Sequence, residues 1–132
     1  MFLDTSALYA VLDSDEDNHA RAARFWAKIV DGEEGLATSN YIVVESVALI
    51  QRRLGMPAVR AFTTDLLPML SLLTISAEQH AVAVAAMLAA NRRDLSLVDC
   101  STFELMRRAG ETRVFTFDGH FRQHGFEVVP RS

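Results

Sequence analysis

The chain has 132 residues, half of them hydrophobic, with a formal charge of −4 and one cysteine. That length holds one domain around one core and excludes two independent cores. The lone Cys100 excludes an intrachain disulfide and fits a reducing, cytoplasmic setting, while the acidic balance excludes a surface that is basic all round.

The longest apolar run, Ala81 to Ala90, is about half of a membrane span, and Met1-Phe2-Leu3 meets Asp4 with no basic segment before it. No membrane anchor or leader is expected. Twelve of the thirteen basic residues are arginine, often in pairs such as Arg52-Arg53 and Arg92-Arg93. Arginine forks suit phosphate, but a GC-rich genome explains the same bias without any binding role.

Met1 to Leu3 is a short apolar run that reads as a strand buried on both faces, and it ends in Asp4-Thr5-Ser6. In an α/β sheet that carboxyl edge is where ligands bind. Asp4 reads equally as a cap for the helix beginning near Ser6 and running to Leu12. A second helix is predicted from Asn18 to Val30, with Ala22, Phe25, Trp26, Ile29 and Val30 on its apolar stripe and Trp26 as a core anchor. Leu36 to Thr38 is a second strand.

Ser39 or Asn40 caps an apolar helix that runs to Leu54, where Gly55 stops it. Glu45 lies among Tyr41, Ile42, Ala48 and Leu49 at helical spacing. A carboxylate buried there needs a cation, a proton or a route to water, unless the helix turns it to the rim. The next helix is expected from Met56 to Leu70, bent or ended by Pro68. Leu72 to Ile75 reads as a third buried strand, and Ser76 with Glu78-Gln79 resembles a capping box for a helix over Ala77 to Ala90.

After the polar break Asn91 to Asp94, a helix from Val98 to Ala109 places Asp99 in its first turn, where the helix N-terminus favours negative charge. Arg113 to Phe117 is a fourth strand and ends at Asp118-Gly119-His120. A short helical turn and a strand from Phe126 to Val129 complete the chain.

Strands and helices alternate throughout, which predicts an α/β fold with a mainly parallel, roughly five-stranded sheet flanked by helices. Asp4 and Asp118 then leave strands at one edge, with Asp99 and Glu45 near the starts of helices. Converging carboxylates repel one another, so a pocket that keeps them ionised calls for a multivalent cation. With oxygen ligands and no cysteine pair, the cation is a hard one, Mg²⁺ or Mn²⁺. Such a site can activate water against a phosphodiester, which is nuclease chemistry.

Four neighbours of these acids are accessory candidates. Thr5 and Ser6 read either as substrate-contacting hydroxyls or as helix caps. Asp94 is either a fifth acid or a loop residue paired with Arg92 or Arg93, and His120 either meets the scissile phosphate or holds the turn after Asp118. Cys100, adjacent to Asp99, reads as a small core filler.

Taken in order, Leu3-Asp4-Thr5-Ser6, Asn18-His19 through Phe25-Trp26, Val43-Val44-Glu45-Ser46, Leu95 to Cys100 and Thr116 to Phe121 resemble the PIN domain, specifically the VapC-type ribonuclease toxins of bacterial toxin-antitoxin systems. The resemblance spans residues 1–132 as one domain. It implies a PIN-like three-layer fold with the first strand central. It also implies metal ligands at Asp4, Glu45, Asp99 and Asp118, and Mg²⁺- or Mn²⁺-dependent cleavage of structured RNA such as tRNA or rRNA. A homodimer and a small VapB-like antitoxin that blocks the site are implied as partners. Gly119 departs from the pattern, since many relatives carry a larger or basic residue there.

Three other readings compete with a nuclease. A phosphatase with an aspartate nucleophile pairs it with a second aspartate two residues on, where this chain has Ser6. A phospho-receiver module needs a lysine at the sheet edge, and the only lysine is Lys28, on an amphipathic helix. A PIN domain that binds nucleic acid or protein without cleaving is the third.

Overall fold

The computed structural model describes residues 1–131. Five parallel strands form one sheet in the order β3-β2-β1-β4-β5. The central strand β1 is Phe2–Leu3, and both residues are fully buried, as an apolar run covered on both faces must be. The other strands are β2 (Ala37–Ser39), β3 (Ser71–Leu73), β4 (Arg113–Phe115) and β5 (Glu127–Val129).

From β1 the chain winds outward through β2 to β3, then returns to lay β4 against the other side of β1 and continues to β5. The order therefore reverses between β1 and β4. In a parallel sheet the connections on the two sides of such a reversal diverge, and a crevice opens at the carboxyl ends of the two strands. Leu3 pairs in register with Phe115, so Asp4 and Thr116 emerge side by side at that crevice.

The connecting helices are α1 (Thr5–Leu12), α2 (His19–Val30), α3 (Asn40–Leu54), α4 (Met56–Ala61), α5 (Ala77–Ala90), α6 (Leu97–Ala109) and the single turn α7 (His120–Gln123). Helix α1 packs on α2 and α3, and α5 packs on α6. Their inner faces meet the sheet around Phe2, Leu8, Ile42, Ile50, Phe62, Met106 and Phe115, all without solvent exposure. Ser39 caps α3 by accepting from the Ile42 amide at 3.1 Å, and Gly110 ends α6 at a φ of 71°, a left-handed conformation that glycine adopts without strain.

Three expectations change. Strand β3 is not buried: it is the sheet edge with β2 as its one neighbour, and Leu72 is 57% exposed. The helix expected to reach Leu70 ends its α-helical turns at Ala61. A π-turn over Phe62–Leu66 and a 3-10 turn over Leu67–Met69 follow, because Pro68 supplies no amide hydrogen and its ring crowds the preceding turn. Trp26 is half-buried and packs against the periphery of the core, not at its centre.

Candidate active site at the carboxyl edge of the sheet

Where β1 and β4 end, their next residues are stitched together. Strand pairing continues through the Asp4 amide, which donates to the Phe115 carbonyl at 3.1 Å. Beyond it, the Thr116 hydroxyl donates to Asp4 Oδ2 at 2.8 Å and the Ser6 hydroxyl donates to the same oxygen at 3.1 Å. Each hydroxyl in turn accepts an amide of the β4 extension: Phe117 N–H donates to Ser6 at 3.0 Å and Asp118 N–H donates to Thr116 at 3.0 Å. This explains why β4 stops at Phe115 although Phe117 was expected within it. The Phe117 amide turns to Ser6, just past β1, and the Asp118 amide turns back to Thr116 of its own segment, so neither reaches a neighbouring strand.

Asp4 is 5% exposed. Burial pushes its carboxyl up to about 6, opposed by the hydrogen bonds from Thr116, Thr5 and Ser6 and reinforced by the nearby charge of Asp99. Thr5 is buried at the start of α1 and accepts from the Ser46 hydroxyl at 3.4 Å. That contact ties α3 to the same edge, with Glu45 half-buried one residue before Ser46.

Asp99 sits in the first turn of α6 as expected, and it also closes a capping box. Its Oδ2 accepts from the Ser96 amide at 3.1 Å while its own amide donates to Ser96 Oγ at 3.0 Å. Burial raises its pKa, opposed by the Ser96 hydrogen bonds and assisted by the charge of Asp118. Asp118 Oδ1 accepts the His120 amide at 2.9 Å, which folds the turn after β4.

Ligand-type atoms of Asp99, Asp118 and His120 lie within 4.8 Å of one another. Histidine was not among the expected ligands. His120 Nδ1 is 3.2 Å from Asp118 Oδ1 and 3.6 Å from Asp99 Oδ2, yet it is buried with no aligned hydrogen bond. Its Nε2 lies 3.2 Å from Asp94 Oδ2, and Asp94 is held by Arg92 through two hydrogen bonds of 3.1 and 2.8 Å. Arg92 and His120 hold the Asp94 carboxyl down to about 2. Desolvation works against the imidazolium of His120, but Asp94, Asp118 and Asp99 outweigh it and raise its pKa.

The structure thus brings together Asp4, Ser6, Asp99, Asp118 and His120, with Thr5 buried beneath and Asp94 gripping His120 from outside. Glu45 lies outside the close-set group. Thr116 is the site residue that sequence reasoning passed over; its signal was a hydroxyl at the end of an apolar strand, two positions before an acid. Arg21 gave no such signal. It comes to the site because its guanidinium lies 5.4 Å from the ring centroid of Phe117, and it lines a cavity of about 200 Å³ with Asn18, Thr116, Asp118 and Arg122.

The residues fit a hard divalent cation. Asp4, Asp99 and Asp118 each commit one oxygen to a hydrogen bond that fixes the carboxylate's orientation, and the other oxygen has no side-chain partner among the described residues. Among the described residues Nδ1 of His120, beside two of these acids, is the buried side-chain polar atom left without a hydrogen-bond partner, so the group is incompletely satisfied as it stands.

The sequence profile of the PIN domain matches residues 1–127. The chain is 31% identical over 98% of both proteins to the 23S rRNA-specific endonuclease VapC20 of Mycobacterium tuberculosis. Its fold is similar to the crystal structure of VapC20, described as a sarcin-ricin loop cleaving toxin, with a TM-score of 0.84, 28% identity and 95% of each chain covered. It also resembles the FitAcB structure from Neisseria gonorrhoeae, at a TM-score of 0.69 and 15% identity over 98% of this chain and 96% of that one, which shows the fold alone. With the sheet order, the acid-lined crevice and these matches in agreement, the chain belongs to the PIN-domain family, in its VapC-type branch.

Proposed function

We propose that this chain is a divalent-metal-dependent endoribonuclease of the toxin type. It hydrolyses RNA phosphodiester bonds in the crevice between β1 and β4. One observation carries the reading: at one edge three carboxylates are each oriented through one oxygen, and among the described residues the other has no side-chain partner. Asp4, Asp99 and Asp118 would hold the cation, with Glu45 of α3 completing the set. Mg²⁺ or Mn²⁺ supplies there the charge neutralisation and the lowered water pKa that phosphodiester hydrolysis needs.

The chain's own residues supply position. Ser6 and Thr116 keep Asp4 in one rotamer, Ser96 does the same for Asp99, and the α7 turn does so for Asp118. His120, steadied by Asp94 and Arg92, lies beside Asp99 and Asp118. There its imidazolium can meet a phosphate oxygen or release a proton to a departing one.

The relatives support a structured RNA, of the ribosomal kind named for VapC20, as substrate. Their toxin character supports a VapB-like antitoxin that covers the site, and a homodimer. Among the described residues no helix is long and apolar enough to cross a membrane.

The test is incubation of labelled RNA with the purified protein in Mg²⁺ or Mn²⁺, and again with chelator. Cleavage is expected only with metal and is lost in Asp4→Asn. Cleavage that persists in chelator, or in that variant, overturns the mechanism.

A further inference from the structure

The cavity beside Asp118 adjoins a second one of about 210 Å³, and Arg21 and Pro130 line both. The second cavity is walled by Arg24, Lys28 and Arg131 and floored by Phe25, whose ring packs edge-to-face on Phe115 at 4.9 Å. Arg21, Arg24 and Lys28 follow one another at three and four residues along α2. They form a row of cations roughly 10 Å long at 1.5 Å per residue.

All three are exposed, and among the described residues none of them takes part in an ion pair, whereas Arg92, Arg108 and Arg113 are all bound to carboxylates. In a protein of net charge −4, five basic side chains and one acid line these two cavities.

A polyanion approaching Asp4, Asp99 and Asp118 meets repulsion that fixed cations beside the site can offset. We propose that the paired cavities form a channel for the RNA strand on one side of the scissile phosphodiester. Arg21, Arg24 and Lys28 bind successive phosphates, and Phe25 supplies an apolar floor for the sugar and base. The proposal rests on the nuclease reading and adds the path by which substrate reaches it. Guanidinium forks match phosphate, and a channel that runs into the carboxylate cluster suits a chain to be cut there better than an acidic peptide, which the cluster would repel without return.

The test uses Arg24→Ala/Lys28→Ala, two exposed residues outside the carboxylate group, with thermal melting to confirm that the fold persists. Binding of a labelled single-stranded RNA is measured by fluorescence anisotropy in chelator, across a range of salt. The variant is expected to bind roughly tenfold more weakly, with a salt slope lower by about 1.4, the loss of two phosphate contacts at about 0.7 each. In Mn²⁺ its KM for RNA rises while kcat stays the same.

Unchanged affinity and slope overturn the proposal. So does a variant that loses affinity for polyglutamate but not for RNA, which would make the face a protein-docking surface. If wild-type protein cleaves no RNA in any metal yet shows binding that depends on Arg24 and Lys28, the nuclease reading falls and the binding channel stands.

Discussion

Thr116 Oγ1 donates to Asp4 Oδ2 at 2.8 Å and accepts the Asp118 amide at 3.0 Å, so one hydroxyl joins the strand-end acids of β1 and β4. Replacing it by an isosteric valine removes both bonds at once. Thr116→Val should therefore lower RNA cleavage by roughly 10- to 100-fold, the usual cost of losing a group that orients a ligand. It should also cost about 1–3 kcal/mol of stability, from a buried donor and acceptor left unpaired. Thr116→Ser should restore most of both. Full activity in the valine variant would show that Asp4 is held by other means.

Asp4 gives stability a definite pH dependence. Its folded pKa of about 6 lies above the ordinary value of 3.8, so the folded state holds the proton more tightly than the unfolded one. The raised pKa favours the fold where Asp4 is protonated, and this advantage is lost as pH rises through about 6. Without metal, Asp4→Asn should gain stability relative to wild type across that window, levelling off at about 3 kcal/mol from 1.36 kcal/mol per unit. Urea unfolding of both proteins in chelator, from acid to mildly alkaline pH, measures the gap. A gap that stays flat contradicts the buried, unpaired carboxyl.

Metal should reverse that penalty. Mg²⁺ or Mn²⁺ is expected to raise the melting temperature of the wild type, and more so at about pH 8 than at about pH 5, where Asp4 must first give up its proton. Asp99→Asn and Asp118→Asn should lose both the rise and RNA cleavage. Cys100→Ala should keep both, since Cys100 is a buried thiol whose pKa burial and the charge of Asp99 raise. Equal losses in Asp99→Asn and Cys100→Ala would mean that the neighbouring pair has been misassigned.

His120 predicts the opposite pH trend. Its folded pKa is raised, so its ion pairs stabilise the fold fully below the ordinary histidine value and fade as pH rises through the folded value. In chelator, the stability lost in His120→Asn should be largest in mild acid and should shrink toward alkaline pH. Asp94→Asn should reproduce part of that loss, because Asp94 pairs with Nε2 at 3.2 Å. A pH-independent loss would place the role of His120 in packing alone.

Asp4, Asp99 and Asp118 were legible in the sequence because each follows an apolar run that ends abruptly, and the alternation of elements puts such ends on one edge. Glu45 was legible only as an oddity, an acid among apolar helix positions, and the structure leaves it half-buried near Thr5 through Ser46. The edge position of β3 could not be read, since Leu72 and Leu73 are as apolar as a central strand and only the sheet order exposes them. Thr116 and Arg21 were hidden for a related reason. Their roles depend on which strand lies beside which, and on the face that α2 turns toward β4.

The bond between Thr116 and Asp4 closes over 112 residues of chain. During synthesis β1 emerges well before β4, the strand that completes its far side. Contacts so distant in sequence form late, because loop closure must precede them. A growing chain thus carries Asp4 with Ser6 alone of its two orienting hydroxyls until β4 is made and Thr116 joins it. An enzyme of the proposed kind therefore stays unarmed until β4 has been made.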